Sequence, residues 1–280
     1  MCDQKKRTDI DSYPLGYSED EARRLAMQGD FLGDLTEDVL RRAGICVGMN
    51  VLDVGCGVGD VSMLVRRLVG AEGSVLGIDR AASSLEIARR RAAMAGLANL
   101  EFEAADLCSF ETTQKFDAVI GRFILLYVPD PVTALQHLQR RLKPGGILAF
   151  QELDISQAAQ VPPSGLFERT VDLIRATFAA SGVEREMGSK LVDTYRRAGL
   201  PWPHMVASAR AEGGPQSPIY EYFARTLASV LPMTERAGLA SAAEIDIKTL
   251  AERIRADAVE NHRITYSPRL IGAWTRVRTD

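Results

Sequence analysis

Short apolar runs alternate with longer amphipathic stretches through the middle of this chain. Residues 50–54, 74–79, 99–104, 116–121 and 146–152 are short, apolar and rich in Val, Ile and Leu, as strands buried on both faces are. Helical patterns lie between them, and ASSLEIARRRAAMA at 82–95, stopped by Gly96, is the clearest. Such alternation over 49–154 predicts a parallel sheet with helices on both faces. Lys143-Pro144-Gly145-Gly146 marks a turn into the fifth strand. Upstream, Leu25, Phe31, Leu32, Leu35, Val39 and Leu40 recur near the helical period and predict a helix over 18–44, with Gly44 as its stop.

Beyond residue 154 the alternation gives way to helices. Residues 164–181 and 186–198 read as two helices; Pro162-Pro163 precedes the first, and Gly182 and Gly199 punctuate their ends. Residues 205–210 read as a sixth strand, and 213–218, with Gly213, Gly214, Pro215 and Pro218, as a turn cluster. Residues 219–262 read as helical in about three pieces, interrupted near Pro232 and Gly238. The last apolar run, 270–277, reads as a final strand.

Composition narrows the class only a little. A chain of 280 residues, 46% of them apolar, suits one large domain or a core with a cap. The net charge of −3 supplies no basic field to draw nucleic acid. No window approaches the roughly 18 uninterrupted apolar residues of a membrane span. The opening MCDQKKRTDIDSY has basic residues without an apolar run after them, so it reads as a frayed leader and not as a signal peptide. Cys2, Cys46, Cys56 and Cys108 show neither Cys-x-x-Cys nor zinc-type spacing. Free thiols in a reducing cytoplasm, with no metal, are the expectation.

The chemistry concentrates at strand ends. Val51-Leu52-Asp53-Val54-Gly55-Cys56-Gly57-Val58-Gly59-Asp60 is an apolar strand ending in a glycine turn, with a helix pattern directly after it. Glycine permits positive φ and close backbone approach. A helix N-terminus at the carboxyl edge of a sheet gathers N–H donors around one spot. The spacing is Gly-x-Gly-x-Gly, and Asp60 stands where the dinucleotide fingerprint has its third glycine. A pyrophosphate would meet Asp53 and Asp60 close by, whereas a ligand carrying positive charge would not be repelled. Asp79 ends the second strand, and an acid there can accept both hydroxyls of a ribose. Asp106 lies just past the third strand, where it can accept from an adenine amino group. Taken singly, each acid is also a common loop or N-cap residue, and the glycine turn can be a tight turn with no ligand.

The set of segments resembles the class I S-adenosylmethionine-dependent methyltransferases, of the small-molecule type typified by ubiquinone and menaquinone biosynthesis. The resemblance rests on VLDVGCGVGDVS at 51–62, SVLGID at 74–79, ADL at 105–107, FDAVIGRFILLYVPDP at 116–131 and LKPGGILAFQELD at 142–154. It implies a Rossmann-like α/β fold with a seven-stranded, mostly parallel sheet. The last strand would pair antiparallel between the fifth and sixth, making 215–265 a helical lid inserted above the site. The implied organisation is an N-terminal leader with cofactor-covering helices (1–44), a cofactor-binding core (45–214), the lid (215–265) and the final core strand (266–280). The resemblance also implies S-adenosyl-L-methionine as cofactor, held by Gln28, Asp53, Gly55, Cys56, Gly57, Asp79, Arg80, Asp106, Leu107 and Arg122. Family members often carry a polar or acidic residue at the position of Arg122, so an arginine there departs from the pattern.

Methyl transfer is an in-line displacement that needs positioning above all, and a base only for some acceptors. The candidates for catalytic contact are Arg122, Glu152 after the fifth strand, and Tyr17 on the first helix; Tyr13 and Asp154 lie nearby in sequence. His137, His204 and His262 sit in no matching motif. In the lid, Tyr220, Tyr222, Phe223, Leu227 and Met233 are spaced to line an apolar pocket or simply to form core. The expected partner is a small, largely apolar methyl acceptor, with no nucleic acid. The oligomeric state is open, a homodimer being among the states the sequence allows. Two other readings compete. A nicotinamide-dependent dehydrogenase is disfavoured by Asp60. A protein of the same fold that binds the cofactor without methylating would look the same at this level.

Overall fold

The computed structural model of the protein describes residues 19–278. A long helix α1 (Glu19–Ala43) leads into β1 (Asn50–Val54), α2 (Asp60–Val69), β2 (Ser74–Asp79), α3 (Ala82–Met94) and β3 (Leu100–Ala104). Then come β4 (Phe116–Arg122), a 3-10 turn (Leu125–Tyr127), α4 (Pro131–Gln139), β5 (Leu142–Asp154) and β6 (Ala159–Val161). Helices α5 (Gly165–Ala180) and α6 (Met187–Arg197) precede β7 (His204–Ser208) and β8 (Ala211–Glu212). The chain ends with α7 (Ile219–Arg236), α8 (Ala242–Ile245), α9 (Leu250–Glu260), β9 (Ile264–Tyr266) and β10 (Arg269–Arg276).

Seven strands form one sheet in the order β3-β2-β1-β4-β5-β10-β7. The first five are parallel. Strand β10 runs antiparallel between β5 and β7, the predicted place for the final strand. The period of two in each strand divides the core. Val51, Ile147 and Ala149 face the layer of α2 and the end of α1, while Leu52, Val54, Leu148 and Phe150 face the larger core on the other side. The strand order reverses between β1 and β4, so the crevice for a ligand opens at their carboxyl ends.

Three features depart from the sequence pattern. Helix α7 runs through Pro232 to Arg236 and stops at Gly238, whose φ is +66°. Its buried face, with Leu227, Val230, Met233 and Thr234, holds the helix across the missing amide. Thr234 Oγ1 also bonds Val230 O at 3.0 Å and Thr177 Oγ1 of α5 at 2.9 Å. Strand β5 begins at Leu142; the Gly145-Gly146 turn is an irregularity inside it, between the pairs Phe116–Leu142 and Ala118–Ile147. A second sheet, β6-β9-β8, ties the start of α5 to both ends of the segment carrying α7–α9. Its strands of two and three residues are too short to leave a pattern. Helix α7 packs against α5, α9 and α1, with Phe223 edge-on to Phe167 at 4.7 Å and Tyr222 5.2 Å from Phe31. Among the described residues no helix is long and apolar enough to cross a membrane.

Candidate functional site

The three glycines of the β1–α2 turn have positive φ, and each does a different job. At Gly55 (φ +67°) a Cβ would collide with the side chain of Ile124. At Gly59 (φ +86°) it would lie 3.0 Å from Phe102 and 3.1 Å from Ala88, so this glycine lets α2 pack against β3 and α3. At Gly57 (φ +53°) a Cβ would meet only Leu25 Cδ1, at 3.9 Å. Gly57 is therefore the glycine that presents bare backbone to open space.

That space is a cavity of about 650 Å³. Its polar end is lined by the glycine turn with Asp53 and Asp60, by Asp79, Arg80 and Ser84, and by Asp106, Leu107 and Cys108. Asp79 Oδ2 accepts from Gly57 N and Oδ1 from Ala81 N, both at 2.8 Å. A carboxylate offers about four lone-pair positions, so about two remain for a ligand. Burial pushes the Asp79 pKa up, and those amides oppose it. Asp106 Oδ1 accepts from Cys108 N at 2.8 Å, and its other oxygen lies 3.7 Å from Arg80 Nε. Asp60 pairs with Arg91 at 2.7 Å, which offsets its charge.

Asp53 is buried and accepts from Ser62 Oγ at 2.6 Å. Burial raises its pKa to about 7, with the Ser62 bond and the Arg122 charge opposing and Asp79 and Asp60 adding to the rise. Arg122, at the end of β4, lines the same cavity and donates to Thr36 Oγ1 at 3.2 Å. Thr36 in turn donates to Gln151 Oε1 at 2.8 Å, linking α1 to the sheet. Burial lowers the Arg122 pKa, opposed by Asp60, Asp53 and Tyr222.

Helix α1 closes one side with Arg24, Leu25 and Gln28, and Arg24 Nη1 donates to Gln28 Oε1 at 2.9 Å. It passes so close to α2 that a Cβ on Gly29 would sit 2.6 Å from Asp60 Cγ. The opposite end of the cavity is apolar. Leu126, Leu153, Ile155, Ile174, Phe178, Val183 and Phe223 line it, with Tyr222 from α7. The resemblance implied a cap in 215–265; α5 and the turn after it contribute wall beside α7. The apolar repeat Phe167, Val171, Ile174 and Phe178 was visible, but periodicity does not tell a pocket-facing residue from a core residue. Arg24 also escaped notice, four residues before Gln28 on the same helix face.

The structure thus brings together Gln28, Asp53, Gly55, Cys56, Gly57, Asp79, Arg80, Asp106, Leu107 and Arg122 around one cavity. Glu152 is not among the lining residues: it is fully buried behind the loop after β4. Asp154 is likewise buried, accepting from Ser189 N and Oγ and from Arg269. Tyr13 and Tyr17 lie outside the described residues. None of the three histidines lines the cavity: His137 bonds Phe110 O, His204 stacks on Trp274, and His262 lies in the turn after α9.

The donor set fits an adenosyl cofactor without phosphate. Bare backbone at Gly57, spare acceptor capacity on Asp79 and acids at Asp53 and Asp106 suit hydroxyls, an amine and a cation. No phosphate group is needed to explain them.

A sequence family described as a methyltransferase domain matches residues 45–192, more than half of the chain. Demethylmenaquinone methyltransferase of Staphylococcus aureus (strain MRSA252) is 37% identical over 115 residues, 41% of this chain and 47% of that one. The match thus spans about half the length of this curated relative. Among solved structures, coclaurine N-methyltransferase bound to N-methylheliamine and S-adenosylhomocysteine superimposes with a TM-score of 0.50 at 16% identity, covering 86% of this chain and 72% of that one. The [4+2]-cyclase SpnF gives 0.51 at 21% identity, covering 88% and 82%. At such identities these two show a shared fold and nothing about the reaction.

Proposed function

We propose that this chain, which belongs to the methyltransferase domain family, moves a methyl group from S-adenosyl-L-methionine to a small, largely apolar acceptor. One observation carries the reading: a single cavity joins the glycine turn and its acids to a chamber walled by Ile174, Phe178, Val183 and Phe223. Such a chamber, with few polar groups, suits a small apolar molecule. Relatives named for a quinone-type acceptor support it.

The bound cofactor supplies a sulfonium-activated methyl group. The chain's own residues bind, orient and exclude water. Asp79 takes the ribose hydroxyls and Asp106 the adenine amine. Asp53, held by its Ser62 bond, places carboxyl oxygens near the cationic end, and a bound cation there would favour its ionised form. Arg122 and Arg24 give counter-charge for a carboxylate there. Tyr222, from α7, lines the cavity and packs against Phe31 of α1, so α1 and α7 meet beside it. Keeping water out strengthens each of these electrostatic contacts.

Two experiments test the proposal. Thermal stability is followed with S-adenosylmethionine and with NAD; a shift with NAD alone sinks it. Labelled methyl transfer is then measured against a panel of apolar amines, phenols, thiols and a demethylated quinol, with release of S-adenosylhomocysteine. Cofactor binding without release on any acceptor would favour a non-methylating role for the fold.

A further inference from the structure

We propose that Glu152 is a positioning residue that holds the loop after β4 as a shared wall of the two halves of the cavity. The inference rests on reading those halves as a cofactor site and an acceptor site. The parallel ladder between β4 and β5 ends with Phe123 N donating to Gln151 O at 2.9 Å. The next two amides open the 3-10 turn and would be unpaired, as at the start of any helix. Glu152, the next residue of β5, extends the ladder with its side chain: Oε1 accepts from Ile124 N at 3.0 Å and Leu125 N at 2.8 Å.

What is held there is under strain and in contact with both halves. Phe123 has a φ of +54°, a left-handed conformation costly for a residue with a Cβ. Ile124 presses against the bare backbone of Gly55 in the glycine turn. Two residues on, Leu126 O accepts from Glu184 N at 3.0 Å, just after the Ser181–Val183 stretch that lines the apolar end. Phe123, Ile124, Leu126 and Tyr127 all contribute to the cavity wall. One buried carboxyl group thereby sets the wall from the glycine turn to the acceptor chamber. Its second oxygen is also buried and has no hydrogen-bond partner, and Glu152 does not line the cavity. Holding the loop, and not exchanging a proton with an acceptor, is the role this geometry allows.

The test compares wild type, Glu152→Gln and Glu152→Ala. The readouts are amide exchange at Ile124 and Leu125, affinity for S-adenosylhomocysteine, and turnover of the best acceptor in the panel above. Glu152→Gln keeps one acceptor oxygen and is expected to retain the protection and most of the turnover. Glu152→Ala is expected to lose the protection and about tenfold or more in kcat/KM, because small misplacements at a reacting centre are costly. Its affinity for S-adenosylhomocysteine should fall by less than its turnover, because Ile124 walls only part of the cofactor half while Asp79 and Asp106 stay in place. If Glu152→Ala does not fold, Glu152→Asp, one methylene shorter, should show the same losses. Native protection in Glu152→Ala overturns the proposal. So does a Glu152→Gln variant that keeps protection and cofactor affinity but has no turnover, since that marks a proton-transfer role. If no panel member is methylated by wild type, the acceptor reading fails, while exchange at Ile124 and Leu125 still decides the role of Glu152.

Discussion

Replacing Asp79 by alanine tests the cofactor site where its geometry is best defined. The wild-type carboxylate already accepts from Gly57 N and Ala81 N at 2.8 Å each, leaving about two of its roughly four lone-pair positions for ribose hydroxyls. Hydrogen bonds to a charged group contribute about 1.5–3 kcal/mol each, less what water recovers when it enters the emptied place. A net loss of roughly 1–3 kcal/mol follows, which is about 5- to 150-fold in Kd. Part of the effect is indirect, because Gly57 also loses the acceptor that fixes the turn. Asp79→Asn separates the parts: it fills the same volume and keeps one oxygen for one amide, but turns an NH₂ toward the other donor. Calorimetric titration with S-adenosylhomocysteine gives the affinities, and circular dichroism checks the fold. Burial raises the Asp79 pKa, and the ribose donors favour the ionised form. Affinity is therefore present above that pKa and lost as pH falls through it. An Asp79→Ala variant that folds and binds within about twofold of wild type would refute the ribose role, since even the smallest expected loss is about fivefold.

Four further outcomes follow from the same structure. Burial places Asp53 at about 7 and Glu152 at about 8, above the roughly 4 of exposed carboxyls. Between those limits the folded chain holds more protons than the unfolded one, so stability should fall as pH rises from about 4 to about 8. Urea unfolding at several pH values checks this, and Glu152→Gln should flatten the upper part of the curve. Gly57→Ala should weaken cofactor binding and lower the melting temperature less than Gly59→Ala, since its methyl meets only Leu25 and the stability cost is confined to the left-handed backbone at φ +53°. Gly59→Ala should show the larger fall in melting temperature, because its methyl is driven against Phe102 and Ala88. Ile174→Ala should cost about 2–4 kcal/mol in urea unfolding and shift acceptor preference in competition assays, with cofactor affinity unchanged.

What was legible in the sequence is what is decided locally. Asp53, Asp79 and Asp106 could be placed because each follows a short apolar run, and strand ends on a parallel sheet share one edge. The helical segment 219–262 and the final strand were read from the pattern, and the antiparallel pairing of β10 from the family resemblance. The roles of individual side chains were less accessible. Glu152 and Asp154 close the fifth strand and look alike on paper; packing buries both, one under the β4 loop and the other against Ser189 and Arg269. Ile174 and Phe178 read as a helix face, but only the placement of α5 beside α7 makes them a chamber wall. Pro232 looked like a break because its local cost is real, and the buried face of α7 outweighs it.

The most direct measurement is a crystal structure of the chain with S-adenosylhomocysteine. The ribose hydroxyls should lie on Asp79, the adenine amine at Asp106, and the sulfur should face the chamber of Ile174, Phe178 and Phe223. A ligand bound elsewhere, or one whose sulfur is turned away from that chamber, would contradict this placement.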